Sequence, residues 1–342
     1  DTVELDYVLL EERSMHDTLF RPGLRREVLG TQLSRLLELY TARLLRHYLL
    51  LAHEQKISAT PLDLSFSNDL IALVERTPEL RRNAAIDVDV AALGLAAQPD
   101  LQRFHDLLAL MHARRSEIPF VDAYLVHTLL VDHCMYIINV EGDEVGFDLA
   151  HRVSQSKMDA GLLTTGNILY PDLIFVVRMA AHSGRFEDAQ RYLTEFAPHL
   201  PDSVRDHVTD MAEGIICHLR NDHARALLHL QRVNLSQPVL KLLVRLYTLR
   251  ALMACERWDD ARAAADALRH LGFPPNSITK DQEDLIAHAV RIVPRVVSAA
   301  TARQNGRNGS DPFETVREAI KAMPTNMFGL RTWLEAFVGG RM

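Results

Sequence analysis

Sixteen histidines in 342 residues invite metal or acid–base chemistry. Their spacing does not converge them. His105 and His112 share one helix face, His127 and His133 lie too many residues apart to meet, and His218 and His223 straddle a turn. No HExxH, CxxC or tight His/Asp cluster is present, and such spacings are what place ligands around one ion. The expectation is no metal site and no cofactor. Glu11-Glu12, Asp259-Asp260 and Glu283-Asp284 are carboxylate pairs, but neighbours on a helix point about 100° apart. They read as solvated faces or first-turn partners of the helix dipole. The cysteines Cys134, Cys217 and Cys255 are distant from one another and set in apolar stretches, which reads as buried thiols in a reducing, cytoplasmic setting. Without a nucleophile elbow or a phosphate-binding glycine loop, the reading is not an enzyme.

Composition narrows the class further. Hydrophobic residues make up 48% and charged residues 24%, and the net charge is −7. That suits a folded chain with a large core and argues against a nucleic-acid partner, which calls for a basic face. The apolar runs, such as 125–131, are shorter than the roughly 20 residues of a membrane span, so no membrane partner is expected. The chain begins at Asp1 rather than Met, and the reading keeps open that it is a fragment of a longer protein.

The elements that must position any site are helical throughout. A leading arm with a short helix is expected over 1–24, with a Pro22-Gly23 break. From Arg25 to Gln55 the apolar residues Leu29, Leu33, Leu36, Leu37, Tyr40, Leu44, Leu45, Tyr48, Leu49 and Leu51 recur at three and four, the spacing of a helix face. The stripe is wide, so this helix should be buried on more than one side, with a homodimer seam through residues 25–55 as the second use. His47 interrupts a strict heptad. Helices follow from Ser67 or Asn68, over 80–97, over 100–115, from Pro119 to Val140 and over 144–158, with a flexible connector at 159–167. Helix pairs are expected at 171–183 with 186–197, 203–220 with 222–233, and 238–255 with 258–270. After the stop at 272–276, a helix over 279–303 is interrupted or kinked near Pro294. A polar loop at 304–310 precedes helices capped by Asp311 and by Thr325 or Asn326.

Three elbows align. Gly184-Arg-Phe-Glu-Asp-Ala189 matches Asn221-Asp-His-Ala-Arg-Ala226 and Glu256-Arg-Trp-Asp-Asp-Ala261, with alanines 37 and 35 residues apart. The aromatic position (Phe186, His223, Trp258) wedges two helices, and the alanine lets their backbones approach. Gly214 is the small partner of Ala226 on the facing helix. This pattern resembles the tetratricopeptide repeat, a helix–turn–helix of about 34 residues, over about 170–275. The resemblance implies an all-α, right-handed α-solenoid of stacked hairpins, TPR-like in the C-terminal half. Residues 1–160 form an N-terminal helical region of degenerate repeats or a bundle, 168–275 the repeats, and 276–342 capping helices.

The resemblance also implies a concave groove lined by the first helix of each pair. Carried over, its positions are Arg178 and His182, then Met211, Ile215 and His218, then Leu246, Arg250 and Met253. Arg178 and Arg250 are suited to clamp a carboxylate or acidic peptide by bidentate hydrogen bonds. The methionines suit an adaptable apolar ligand. The implied function is a non-enzymatic scaffold for a protein or peptide partner. The alternative is a regulatory sensor domain of a longer protein, binding a small effector in the groove. An all-helical enzyme is the least favoured reading.

Overall fold

A computed structural model describes residues 25–58, 63, 65–274, 277–304 and 311–340, together with Leu9. The leading arm, the break at 59–62, Pro275 and Asn276, and the polar loop at 305–310 lie outside them. Every regular element among the described residues is helical. The chain forms two compact units, Asp1–His133 and Cys134–Met342, so the division falls at 133/134.

The first unit holds α1 (Arg25–Ser58), α2 (Ser65–Arg76), α3 (Ala84–Ala97), α4 (Leu101–Ala113) and most of α5 (Phe120–Tyr136). α3 is apolar almost all round and is correspondingly buried, with α1 and α4 packed on it. It begins later than the periodicity suggests, because Pro78–Arg82 forms a 3-10 turn and the Asn83 side chain accepts from the Ala85 N–H at 3.0 Å. Asp100 caps α4 in the same way. The wide stripe of α1 is not buried on more than one side. Leu45, Leu49 and Ala52 face the core, whereas Leu33 (66% exposed), Leu37, Tyr40 (58%), Leu44 and Leu51 form a second line on the surface. The Arg46 fork grips the buried Asp122 at 2.7 and 2.9 Å. Beside it Asp89 is fully buried with neither carboxyl oxygen hydrogen-bonded.

In the second unit, α6 (Val145–Asp159) precedes three hairpins. These are α7 (Tyr170–His182) with α8 (Phe186–Phe196), α9 (Asp202–Leu219) with α10 (His223–Leu230), and α11 (Pro238–Ala254) with α12 (Trp258–Arg269). The first helices pack side by side, α9 against both α7 and α11. The aligned elbow residues Gly184, Asn221 and Glu256 are all left-handed, at φ 72, 63 and 56°. In each case the next N–H donates at 2.9 Å to a carbonyl five residues back, on Ala180, Cys217 or Leu252. This closure satisfies the last helical carbonyls. Ala189, Ala226 and Ala261 are fully buried at the crossings. A Cβ on Gly214 would lie 2.7 Å from Leu230 Cγ, so the close approach of α9 and α10 requires glycine there.

The rest is α13 (Lys280–Gln304), α14 (Glu314–Lys321) and α15 (Leu330–Val338). α13 runs unbroken through Pro294. α15 starts at Leu330, after a 3-10 turn at Met327–Gly329 in which Phe328 has φ 54° and Gly329 φ 70°. Asn326 still serves its start: its Oδ1 accepts from the Thr332 N–H at 3.0 Å. Its Nδ2 donates to the Ile138 carbonyl at 2.9 Å, tying the segment to the π-helical turn Ile137–Glu141.

Candidate functional site

The polar residues that do not belong in a core lie on one side of α7, α9 and α11. Helical spacing puts Arg178 and His182 a turn apart on α7, and Tyr247 and Arg250 a turn apart on α11, with His218 on α9 between them. Arg178 is 5% exposed, Arg250 2% and His218 4%. His182 keeps a partly exposed edge. Its Nε2 meets the Tyr247 hydroxyl at 2.7 Å, and its ring stacks on Phe147 at 4.1 Å and 7°. The His218 ring stands edge-on to Tyr247 at 5.6 Å, and its Nδ1 is 3.2 Å from that of His223.

The C-terminal segment covers this face. An Arg250 Nη2–H donates to the Phe328 carbonyl at 2.8 Å, and the guanidinium lies over Tyr247 at 5.4 Å and Trp333 at 5.7 Å. Arg178 lies over the Phe328 ring at 5.4 Å. Arg178 Nε and Nη2 and Arg250 Nε have no hydrogen-bond partner. No carboxylate among the described residues pairs with either cation. Aromatic faces, the Tyr247 hydroxyl and one carbonyl stand where a buried ion ordinarily has a counter-charge.

The electrostatics follow from that shortage. Burial, helped by Arg178, pushes the Arg250 guanidinium down to about 10 against the pull of the Tyr247 hydroxyl. Burial lowers Arg178 as well. Burial first, then Arg178, Arg250 and His218, holds His182 well below its ordinary value. Burial, then Arg250 and His223, pushes His218 down to about 3. At neutral pH the face therefore holds two cations and two neutral imidazoles.

All eight residues expected to line the groove are on these three helices. Met211, Ile215, Leu246 and Met253 are completely buried and packed within the core. Arg178, His182, His218 and Arg250 converge as one polar cluster, with the two arginines under the C-terminal segment. Phe147, Tyr247, Phe328 and Trp333 complete the cluster without having been singled out in the sequence. Tyr247 had a local signal, one turn before Arg250, whereas Phe328 and Trp333 lie over seventy residues further on.

Other chemistry is sparse. Among the described residues no group of three or more His, Cys, Asp or Glu could hold a metal ion. Burial pushes the Cys217 and Cys255 thiols up, away from reactive thiolate. Two helices, Phe120–Glu141 and Lys280–Gln304, reach the length and hydropathy of a membrane span. Their most apolar windows are 61% and 44% buried within the fold. Comparison with family models, curated proteins and solved structures finds no match for the chain.

Proposed function

We propose that the chain is a non-enzymatic binding scaffold that takes a protein or peptide on the face of α7, α9 and α11. One observation carries the reading: that face already seats a peptide segment, residues 326–337 of the same chain, through aromatic side chains and a backbone carbonyl. A surface that holds a turn and a helix in this way is suited to a partner of similar form. The matched elbows support a right-handed, TPR-like solenoid, in which this side is the concave one. The three cysteines form no disulfide and two of them are buried, which suits a cytoplasmic setting. Panning a displayed random-peptide library against the full chain tests the reading. Selected peptides carrying a photoreactive group are expected to cross-link to α7, α9 or α11. Cross-links confined to α8, α10 and α12 would overturn it. The sensor-domain alternative uses the same cluster for a small effector, and would show as a soluble compound that blocks peptide capture.

The second line on α1 favours a homodimer. Leu33, Leu37, Tyr40, Leu44 and Leu51 are spaced four, three, four and seven residues apart, with exposed His47 at the intervening position. That is the alternating three–four rhythm of a coiled-coil seam, and it occupies a strip about 80° wide on a helix of 3.6 residues per turn. The core-facing line of Leu45, Leu49 and Ala52 lies on a different side of the helix. A straight, uncharged strip of this kind is complementary to itself in a second copy. Light scattering is expected to give a dimer, and Leu37→Glu with Leu44→Glu a monomer. A monomeric unaltered chain would remove the proposal.

A further inference from the structure

Taking the face of α7, α9 and α11 as the binding surface, we infer that its ligand is an acidic peptide segment whose carboxylate seats on Arg178 and Arg250, and that residues 326–337 form a lid which that ligand displaces.

The first support is unmatched charge. Two guanidinium groups are withdrawn from water without a carboxylate, and three of their N–H-bearing nitrogens are unpartnered. A guanidinium fork matches a planar carboxylate with two parallel hydrogen bonds. The free donors on both side chains are therefore the complement of an acid that none of the described residues supplies. His182 and His218 add no charge at neutral pH but can donate or accept a hydrogen bond.

The second support is the nature of the cover. It contributes a peptide carbonyl to Arg250 and aromatic faces to both cations, which are weaker partners than an anion. Phe328 adopts φ 54° to place that carbonyl, a left-handed conformation that a bulky residue rarely takes. The adjacent Gly329, also left-handed, makes the turn sterically accessible. The lid is thus held in a locally unfavourable conformation over a charge that it does not neutralise. An incoming acidic segment can reproduce the backbone contact and add the ion pair. A carboxylate presented on a peptide is favoured over a free phosphate because what covers the two guanidinium groups now is itself a peptide segment, through its backbone carbonyl and ring faces.

The protein carries its own reporter. Trp258 and Trp333 are its two tryptophans. Trp258→Phe in the full chain leaves Trp333, which lies over Arg250, as the sole emitter. The probes are short polyglutamate, polyglutamine of the same length, and inorganic phosphate, at one ionic strength. Polyglutamate is expected to shift the Trp333 emission to the red as the lid leaves, and polyglutamine and phosphate to leave it unchanged. Arg178→Gln with Arg250→Gln is expected to weaken the response at least tenfold. Arg250→Lys, which keeps the charge and loses the fork, should lose most of it. Should the double variant fail to fold, Trp333→Ala decides the matter by anisotropy of labelled polyglutamate. Loosening the lid is expected to tighten binding several-fold, and unchanged or weaker binding would overturn the lid. If polyglutamine or phosphate moves Trp333 as well as polyglutamate does, the acidic-peptide inference fails while the binding face stands. If no probe moves Trp333 and Trp333→Ala uncovers no binding, the face itself fails as a peptide site.

Discussion

Replacing Arg250 with methionine separates a cation kept for a ligand from a cation kept for the fold. The Arg250 guanidinium is pushed down to about 10 from 12.5. At about 1.4 kcal/mol per pH unit, burial leaves the charged form about 3 kcal/mol less favourable than in water. Arg250→Met removes that burden and keeps much of the side-chain volume. Against it stand the hydrogen bond to the Phe328 carbonyl and the stacking on Tyr247 and Trp333. A hydrogen bond to a charged group contributes about 1.5 kcal/mol and the cation–π contacts about 1 kcal/mol. The balance favours the variant by about 0.5–1 kcal/mol, an increase in Tm of roughly 2 °C for a unit of this size. Were Arg250 instead an anchor whose charge is fully matched, its loss would cost about 3–5 kcal/mol. The two outcomes are well resolved by urea denaturation followed by circular dichroism at pH 7. A variant destabilised by 3 kcal/mol or more refutes the reasoning. The same variant should lose the Trp333 response to polyglutamate, so that stability and binding change in opposite directions.

The histidines predict acid sensitivity. His218 is held at about 3 in the fold against 6.5 when unfolded, so its contribution is full above 6.5 and is lost as pH falls toward 3, by about 1.4 kcal/mol per pH unit. His182 acts in the same direction, and His218→Gln should flatten part of the slope in urea midpoints measured from pH 7 to 4. Gly214→Ala should destabilise by about 1 kcal/mol net, because overpacking of about 1–3 kcal/mol outweighs a helix-propensity gain near 1 kcal/mol. Gly94→Ala, whose Cβ meets only Arg103 Nη1 at 3.7 Å, should stabilise by about 0.5–1 kcal/mol, and equal thermal shifts for the two would disprove the close crossing of α9 and α10. Burial, then the charge of Asp122, raises the Asp89 carboxyl well above its ordinary value despite Arg46. Its folding contribution is therefore full at acid pH and lost as pH rises through the folded value. Asp89→Asn should raise the urea midpoint at pH 8 more than at pH 4, and the reverse order would contradict the buried orphan carboxyl.

The helices and the elbows were legible because their causes are local. A left-handed residue, a wedge and an alanine within six positions specify a turn, and Gly184, Asn221 and Glu256 adopt the same backbone despite three different side chains. Sequence placed four polar residues on the first helices because helical spacing alone aligns Arg178 with His182. It could not show that the face was covered. Phe328 and Trp333 reach the cluster from 78 and 83 residues beyond Arg250, and nothing in their neighbourhood encodes that contact. The burial of α1 was misjudged for a related reason. Apolar residues on two sides of a helix look alike in sequence, whether one side meets the core or waits for a second chain.

The unusual features of the binding face share one remedy. Among the described residues Arg178 and Arg250 have no counter-charge, three of their nitrogens have no acceptor, and Phe328 holds a left-handed turn to offer one carbonyl. Each alone is an unfavourable term that a few compensating contacts elsewhere can carry. Together they lie at one place, and departure of residues 326–337 in favour of an acid would relieve all three at once. Opening must expose Phe328 and Trp333, so the closed form persists until a ligand supplies both a carboxylate and a peptide backbone to replace the lid's carbonyl contact. A small carboxylate such as acetate supplies only the first, and a polyglutamine peptide only the second. The required pairing of the two is what would make such a face selective for an acidic segment of another protein, rather than responsive to every anion in solution.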